Sequence, residues 1–222
     1  MDELIAGYRR FRTETWARER DRFETLAELG QQPHTMVIAC SDSRVDPQMI
    51  FSAAPGELFV VRNVANLVPP YQPDAAYHGT SAALEFGVRV LGVRHVVVLG
   101  HALCGGVRAL LDGMPPGTED FVAPWMGIAS EARARVLLRC DAVSDDEARQ
   151  EAGEQEMVRL SLENLMTFPW IKEAVEAGRL RLHGGHFGVR SGRLSILGEH
   201  GFAPVGDAPP PVGQRPFGGS NR

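Results

Sequence analysis

Residues 35–44 read TMVIACSDSR, and residues 96–106 read VVVLGHALCGG. Each stretch opens with a short, continuous apolar run, which is typical of a strand that is buried on both faces. The polar residues and glycines that follow indicate that the chain leaves each strand there. Apolar strands that alternate with helices indicate parallel βαβ units. We therefore predict an α/β fold with a mostly parallel central sheet flanked by helices.

Further segments add helices and strands around this pair. Residues 78–91 are apolar on most faces of a helix, so we expect that helix to be buried on more than one side. Residues 119–176 are mostly helical in pattern, with breaks near residues 141–145 and at Pro169. The other predicted strands cover residues 58–61, 180–187 and 194–197.

The two ends of the chain differ from its middle. Residues 3–29 carry apolar side chains at helical spacing and predict a helical arm over residues 1–30. The apolar face of this arm needs a surface to cover, and its own core is the simplest one. From residue 204 onward proline and glycine dominate, so we predict a mobile tail over residues 204–222. The remaining residues 1–203 are predicted to form a single domain.

Composition and charge exclude several classes of function. A formal net charge of -5 gives no basic surface for nucleic acid and no attraction to an anionic membrane. The densest apolar run, residues 96–99, is too short to span a bilayer. The sequence starts without an apolar leader and holds three cysteines, which favours a reducing, cytoplasmic compartment over a disulfide framework.

The cysteines and one histidine form the main candidate site. Cys40 directly follows one predicted strand, and His101 and Cys104 follow another. Sites in open α/β sheets lie at the carboxyl ends of the strands, so we expect these side chains to converge. Two thiolates and an imidazole are zinc ligands that leave a fourth position for water or another group. Redox or structural cysteines are the alternative, and the isolated Cys140 is interpreted as a small buried hydrophobic residue.

Asp42 and Arg44 lie two and four residues after the first of these cysteines. On an exposed loop they would form an ion pair of little energetic value. Beside a metal, the carboxylate can accept a hydrogen bond from zinc-bound hydroxide while Arg44 holds it in place. Alternatively, Asp42 binds the zinc itself and closes the site.

The motifs together resemble those of the β-class carbonic anhydrases. The resemblance is carried by CSDSR at residues 40–44, PGELFVVRNVAN at residues 55–66 and GHALCGG at residues 100–106. It runs over residues 31–106 and extends weakly through HGGHF at residues 183–187.

The resemblance implies an enzyme, a lyase that converts carbon dioxide reversibly to bicarbonate and a proton by attack of zinc hydroxide on CO2. It implies one Zn²⁺ per subunit, held by Cys40, His101 and Cys104. The same resemblance implies that Asp42 and Arg44 form a catalytic dyad.

The resemblance also implies a substrate pocket, from which this chain departs in places. Phe86 stands where the family often has tyrosine, Leu103 where a small or polar residue is common, and His186 where another aromatic residue is more usual. The implied substrate-binding residues are Gln31, Phe59, Val64, Phe86 and Gly105.

Members of this family exist in an open form and in a closed form in which the aspartate binds zinc. Members with a bicarbonate-regulated closed form have a tryptophan and a glycine where this chain has Val37 and Ala39. We therefore expect the open form at neutral pH, with Asp42 as a metal ligand only in a closed form.

The resemblance also implies that the arm packs on a partner, giving a homo-dimer or a higher assembly such as a tetramer. The expected substrate is a small molecule, CO2 or bicarbonate. Two other functions stay open: a related zinc hydrolase acting on carbon disulfide or carbonyl sulfide, and a non-catalytic zinc protein that senses bicarbonate. The intact Asp42 and Arg44 argue against the sensor.

Overall fold

A computed structural model describes residues 1–74, 76–139 and 145–206 of the chain. Within these ranges, strands β1 to β6 form one sheet in the order β2-β1-β3-β4-β5-β6. The pairs among β1, β2, β3 and β4 are parallel, whereas β5 and β6 are antiparallel at one edge. The prediction of a mostly parallel sheet is confirmed. The strands are β1 (Thr35–Cys40), β2 (Leu58–Asn63), β3 (His95–His101), β4 (Arg181–Phe187), β5 (Leu194–Gly198) and β6 (Gly201–Pro204).

Helices flank this sheet, as the sequence predicts. The predicted helical stretch from residue 119 to 176 consists of separate helices, and its break near residues 141–144 lies outside the described residues. The α-helices are α1 (Asp2–Arg10), α2 (Trp16–Leu29), α3 (Pro47–Ile50), α4 (Gly79–Glu85), α5 (Gly105–Asp112), α6 (Val122–Gly127), α7 (Ser130–Arg139), α8 (Asp146–Leu165) and α9 (Pro169–Glu176).

The strand β1 is buried on both faces, which explains its unbroken apolar sequence. Met36 and Ile38 pack in a core that includes residues of α4, α8 and α9. Val37 and Ala39 point to the opposite face, where Ile50 of α3 and Phe51 pack against them. Because successive side chains of a strand alternate between faces, a strand with helices on both sides needs apolar residues at every position.

The amino-terminal arm is helical as predicted, with a π-helical turn over Phe11–Thr15 between α1 and α2. None of the residues in these three elements is buried, and Leu4 is 74% exposed. The arm is held to the rest of the chain through Arg22, which donates to the Pro55 carbonyl oxygen and to Glu57. Within the described chain the apolar face of the arm is only partly covered, because Leu26 lies against Gly56 whereas Leu4 and Tyr8 of α1 stay exposed.

The expectation that the helix at residues 78–91 is buried on more than one side is wrong for the single chain. This segment is α4 followed by a π-helical turn over Phe86–Val90. Its buried residues are Thr80, Leu84 and Gly87, which lie on one face. Phe86 is 45% exposed and Val90 is 65% exposed, because no other element of the described chain covers the outward face.

Two predictions fall wholly or partly on residues outside the described ranges. The interpretation of Cys140 as a buried hydrophobic residue lies outside them, as does the predicted mobile tail from residue 207 onward. The described chain continues through β6 to Pro204 and ends at residue 206. Among the described helices, none combines the length and apolar character needed to cross a bilayer.

Candidate metal centre and active site

The sheet register brings the three predicted metal ligands together. β1 and β3 are adjacent and parallel, with Ala39 paired to Leu99, so Cys40 and His101 leave the sheet at the same edge. Cys104 reaches the same point through a tight turn in which Leu103 has a positive φ of 61°. The ligand atoms of the three residues all lie within 4.8 Å of one another, and all three residues are buried.

His101 is oriented as a metal ligand would be. Its Nδ1 lies 2.9 Å from the Ala102 carbonyl oxygen, which can only accept, so Nδ1 carries the ring proton. Nε2 is then left with a lone pair, and it is buried with no hydrogen-bond partner among the described residues. A buried polar atom without a partner is uncommon, and a metal ion at the cluster would satisfy it.

The thiols of Cys40 and Cys104 shift each other's pKa in opposite directions. A hydrogen bond from the Cys104 thiol lowers the pKa of Cys40, and the same bond raises the pKa of Cys104, as does its burial. Burial lowers the pKa of His101, but the nearby Cys40 and Asp42 and the hydrogen bond to the Ala102 carbonyl outweigh it and raise that pKa. The nearby backbone N–H groups of Ala65 and Gly106 act to lower the pKa of Cys40 and of Cys104 respectively. Such donors favour the thiolate forms that zinc requires.

Asp42 and Arg44 form a tightly bonded pair at the mouth of this cluster. The Arg44 Nε donates to Asp42 Oδ1 at 2.9 Å, and its Nη2 donates to Asp42 Oδ2 at 2.7 Å. These bonds hold the pKa of Asp42 well below its usual range. The carboxylate is therefore ionised at neutral pH and engaged by the guanidinium. Asp42 is not one of the three residues whose ligand atoms cluster.

Arg62 fixes the loop that carries Cys40 and Asp42, a role that the sequence analysis missed. Its Nε donates to the Cys40 carbonyl oxygen at 2.9 Å, and its Nη2 donates to the Asp42 carbonyl oxygen at 2.6 Å. Its Nη1 also contacts Asp46, whose side chain caps α3. One guanidinium thus holds two carbonyls of the turn that presents the dyad.

A buried polar group behind Cys104 was also missed. Glu154 of α8 is 2% exposed, and its Oε1 accepts from the Cys104 N–H at 3.0 Å. Gln150 donates to the same oxygen and to the Cys104 carbonyl, and His186 contacts the other carboxylate oxygen at 3.0 Å. The sequence carries a signal for this group, because Glu154 lies on the same helical stripe as the buried Met157 and Val158.

Two of the predicted pocket residues lie beside the cluster. Gly105 is the first residue of α5, directly after Cys104, and the Val64 side chain packs against Gly106. Val64 also borders an apolar cavity of about 660 Å³. The Val64 carbonyl accepts a hydrogen bond from the indole of Trp125, which lines the same cavity.

The other three predicted pocket residues lie at the opposite end of the sheet. Phe59 pairs in register with Met36, four residues before Cys40, which places it about 13 Å back along the strands. Phe86 packs on Phe59 with ring centroids 5.9 Å apart, and the exposed Gln31 precedes β1. Within one chain, Gln31, Phe59 and Phe86 therefore do not share a pocket with the metal cluster.

Comparison with known proteins places this site in a family. A family model described as carbonic anhydrase matches residues 35–194. Beta carbonic anhydrase 3 of Arabidopsis thaliana is 33% identical over 199 residues, which are 88% of this chain and 76% of the relative. The chain belongs to the β carbonic anhydrase family. Carbonic anhydrases are lyases, so the prediction of an enzyme of this class is confirmed.

Solved β carbonic anhydrases share the whole fold described above. The β-carbonic anhydrase CcaA matches with a TM-score of 0.84 and 33% identity, covering 93% of this chain and 92% of that one. A tetrameric β-carbonic anhydrase of Sordaria macrospora matches with a TM-score of 0.79 and 31% identity, covering 89% of this chain and 96% of that one. Each match covers about nine-tenths of the chain, more than the segment from residue 35 to residue 194.

Proposed function

We propose that this protein catalyses the reversible hydration of carbon dioxide to bicarbonate and a proton, and that it depends on zinc. The observation that carries the proposal is the buried convergence of two thiols and the unpartnered Nε2 of His101 beside the Asp42–Arg44 pair. Family membership supplies the reaction class, and the donor set of sulfur, nitrogen and sulfur is one that zinc prefers.

In this proposal Cys40, His101 and Cys104 hold one zinc ion per chain. The hydrogen bond from His101 Nδ1 to the Ala102 carbonyl presents Nε2 to the metal. Zinc, when bound, supplies a Lewis acid that lowers the pKa of a coordinated water. Two thiolates also offset the two positive charges of the ion in a buried site.

Asp42 is proposed to orient the nucleophile, and Arg44 to orient Asp42. Asp42 Oδ1 accepts from both the backbone N–H and the Nε of Arg44, whereas Oδ2 accepts only from Nη2 and keeps a lone pair. Asp42 can therefore accept a hydrogen bond from the attacking hydroxyl through Oδ2. A carboxylate at this position would fix the direction of the O–H bond and so orient the nucleophile. The Asp42–Arg44 pairing supports the open form, in which Asp42 is not a metal ligand.

The substrate pocket is proposed to need a second copy of the chain. Val64 and Gly105 lie at the metal cluster, whereas Gln31, Phe59 and Phe86 lie at the far end of the same sheet. A partner that brings these three residues to the cluster would complete a pocket with apolar walls for CO2 and one amide for its oxygen. The exposed apolar residues of α1 and of the turn at Phe86–Val90 support a homo-dimer or larger assembly, as does the tetrameric relative.

A substrate comparison on zinc-loaded protein tests the proposal. Stopped-flow assays would measure CO2 hydration, carbon disulfide hydrolysis and carbonyl sulfide hydrolysis on one preparation. We expect CO2 hydration to be the fastest of the three reactions by a wide margin. Faster turnover of either sulfur compound would show a related hydrolase instead, and zinc-loaded protein inactive on all three would favour the sensor.

A further inference from the structure

We infer that Glu154 and His186 are positioning residues for the catalytic dyad, acting through the peptide bond between Leu103 and Cys104; this inference rests on the proposed function. The carbonyl oxygen of that peptide accepts from Arg44 Nη2 at 3.1 Å. The N–H of the same peptide donates to Glu154 Oε1 at 3.0 Å. A single peptide unit therefore joins the dyad on one side to a buried carboxylate on the other.

The geometry of Glu154 makes it a fixed anchor. Its carboxylate is 2% exposed and is held at both oxygens, by Gln150 at 2.7 Å and by His186 at 3.0 Å. Gln150 and His186 are themselves 3% and 6% exposed. Each member of this network is buried and makes at least one hydrogen bond, although Gln150 Oε1 has no partner among the described residues. These bonds leave Glu154 little freedom to move, so it transmits its position to the peptide that it holds.

The loop that carries Cys104 needs such an anchor. Leu103 holds a positive φ that is costly for a residue with a branched side chain. A cavity of about 510 Å³ lies behind the loop, lined by Ala102, Leu103, Glu154 and His186 among others. Hydrogen bonds hold this loop on both sides of the strained residue, from the Ala102 N–H to the Phe187 carbonyl before it and from the Cys104 peptide groups to Glu154 and Gln150 after it.

The hydrogen bonds of a shared peptide strengthen one another. A carboxylate that accepts from the N–H polarises the peptide and makes its carbonyl a better acceptor. The Leu103 carbonyl then holds the Arg44 guanidinium more firmly, and Arg44 in turn holds Asp42. The chain of contacts runs from His186 through Glu154, the peptide and Arg44 to Asp42. Glu154 also fixes the backbone of Cys104 directly.

Substitution of Glu154, with a matched control, tests the inference. Glu154→Gln keeps the shape, Glu154→Ala removes the acceptor, and Glu156→Gln is the control. Glu156 is also on α8 and 3% exposed, but its carboxylate pairs with Arg135 and Arg139. Loss of a residue that supports a metal ligand lowers metal affinity or activity by about 10- to 100-fold. We therefore expect kcat per bound zinc to fall by about that factor in Glu154→Ala. In Glu154→Gln, kcat per bound zinc should fall less. Glu156→Gln should keep the native kcat per bound zinc but lower the thermal stability.

A double-mutant cycle shows whether Glu154 acts through Arg44. If it does, Glu154→Gln lowers kcat per bound zinc much less in the Arg44→Gln variant than in the native protein. Effects that multiply instead would overturn the route through the shared peptide. His186→Phe should lower kcat per bound zinc, and His186→Gln, which keeps a donor, should recover part of it. Equal rates in the two His186 variants would remove His186 from the inference.

A readout independent of turnover separates this inference from the proposed function. Cobalt substituted for zinc reports on the thiolate ligands through its sulfur-to-metal charge-transfer absorption. We expect Glu154→Ala to shift that absorption and Glu156→Gln to leave it unchanged. An unshifted spectrum together with native kcat per bound zinc overturns the inference. If the native enzyme does not hydrate CO2, the proposed function fails, and the cobalt spectrum still decides whether Glu154 positions Cys104.

Discussion

The two ends of the central sheet differ in how complete they are within one chain. At the carboxyl ends of β1 and β3, the cysteines, His101 and the dyad converge, held from behind by Arg62 and Glu154. At the amino ends, Gln31 is exposed, Phe86 is 45% exposed, and His95 pairs with His183 across β3 and β4.

If the carboxyl ends of the strands hold zinc and the amino ends supply the substrate pocket, as proposed, the two kinds of binding have separate structural requirements. The metal cluster follows from the register of two neighbouring strands, which a single chain fixes by itself. The predicted substrate pocket draws on residues from both ends of the sheet, which a single chain holds apart. We therefore expect substitutions at the carboxyl ends of the strands to act within a subunit. Substitutions at the amino ends of the strands should act between subunits.

The largest expected effect is the loss of the metal from the cluster at the carboxyl ends of β1 and β3. Cys40→Ala removes one of three ligands, so we expect the purified variant to contain no zinc and to hydrate CO2 no faster than buffer. Metal analysis and stopped-flow assays measure the two losses on the same sample. The third cysteine provides the control: Cys140→Ala should keep zinc and activity. Retained zinc and activity in Cys40→Ala would exclude Cys40 as a ligand.

The next largest expected effect distinguishes the role of Asp42 in turnover from the binding of the metal. Asp42→Asn keeps the shape of the side chain but loses its charge, so zinc content should stay at the native level while kcat falls by about 100-fold. Asp112→Asn, which changes a surface carboxylate at the end of α5, should leave both quantities unchanged. Native turnover in Asp42→Asn would contradict the proposed role of this residue.

A subunit-mixing experiment tests whether Gln31 acts between subunits. Gln31→Ala should lower kcat/KM by about tenfold, the value of one lost hydrogen bond. If Gln31 serves the metal site of a partner, random re-pairing of equal amounts with Cys40→Ala subunits gives half of the zinc sites an intact neighbour. In a two-fold symmetric dimer, activity per zinc should then rise about fivefold over unmixed Gln31→Ala.

The control for this mixture is a subunit that carries both Cys40→Ala and Gln31→Ala. It can pair in the same way but offers no intact glutamine, so mixing it with Gln31→Ala should give no gain. A gain with the double variant, or none with Cys40→Ala, would mean that Gln31 does not act across subunits.

Much of the site at the carboxyl ends of the strands could be predicted from the sequence, because its candidate ligands follow short apolar strands that pair in parallel. The role of Glu154 could not, because its partner Cys104 lies 50 residues away and the contact depends on how α8 packs. The burial of the helix at residues 78–91 was overestimated for the same kind of reason. Its apolar pattern indicates that something covers it, but the pattern does not say whether the cover comes from the same chain.

The smallest expected effect is a change of stability with pH, caused by the pair of His95 and His183 near the amino ends of β3 and β4. Burial is the main cause that lowers the pKa of His95 and of His183, and neighbouring cationic groups such as Arg181 add to it. A depressed folded pKa means that stability is present above the unfolded value of about 6.5 and is lost as the pH falls through the folded values. Urea titrations at pH 7.5 and 5.5 should show a lower free energy of unfolding at pH 5.5.

A substitution checks that this loss comes from the pair. His183→Gln should reduce the difference between the two pH values, whereas His200→Gln, which changes an exposed histidine, should leave it unchanged. An equal pH difference in native protein and in His183→Gln would remove the pair as its source.

The most direct test of the account follows zinc and turnover together in one sample. Native protein would be analysed for bound zinc and for CO2 hydration, then stripped with a chelator and reloaded stepwise. We expect one zinc per chain, a hydration rate that disappears with the metal, and recovery in proportion to the zinc restored. Undiminished hydration by the stripped protein, or no hydration at full zinc occupancy, would contradict the account.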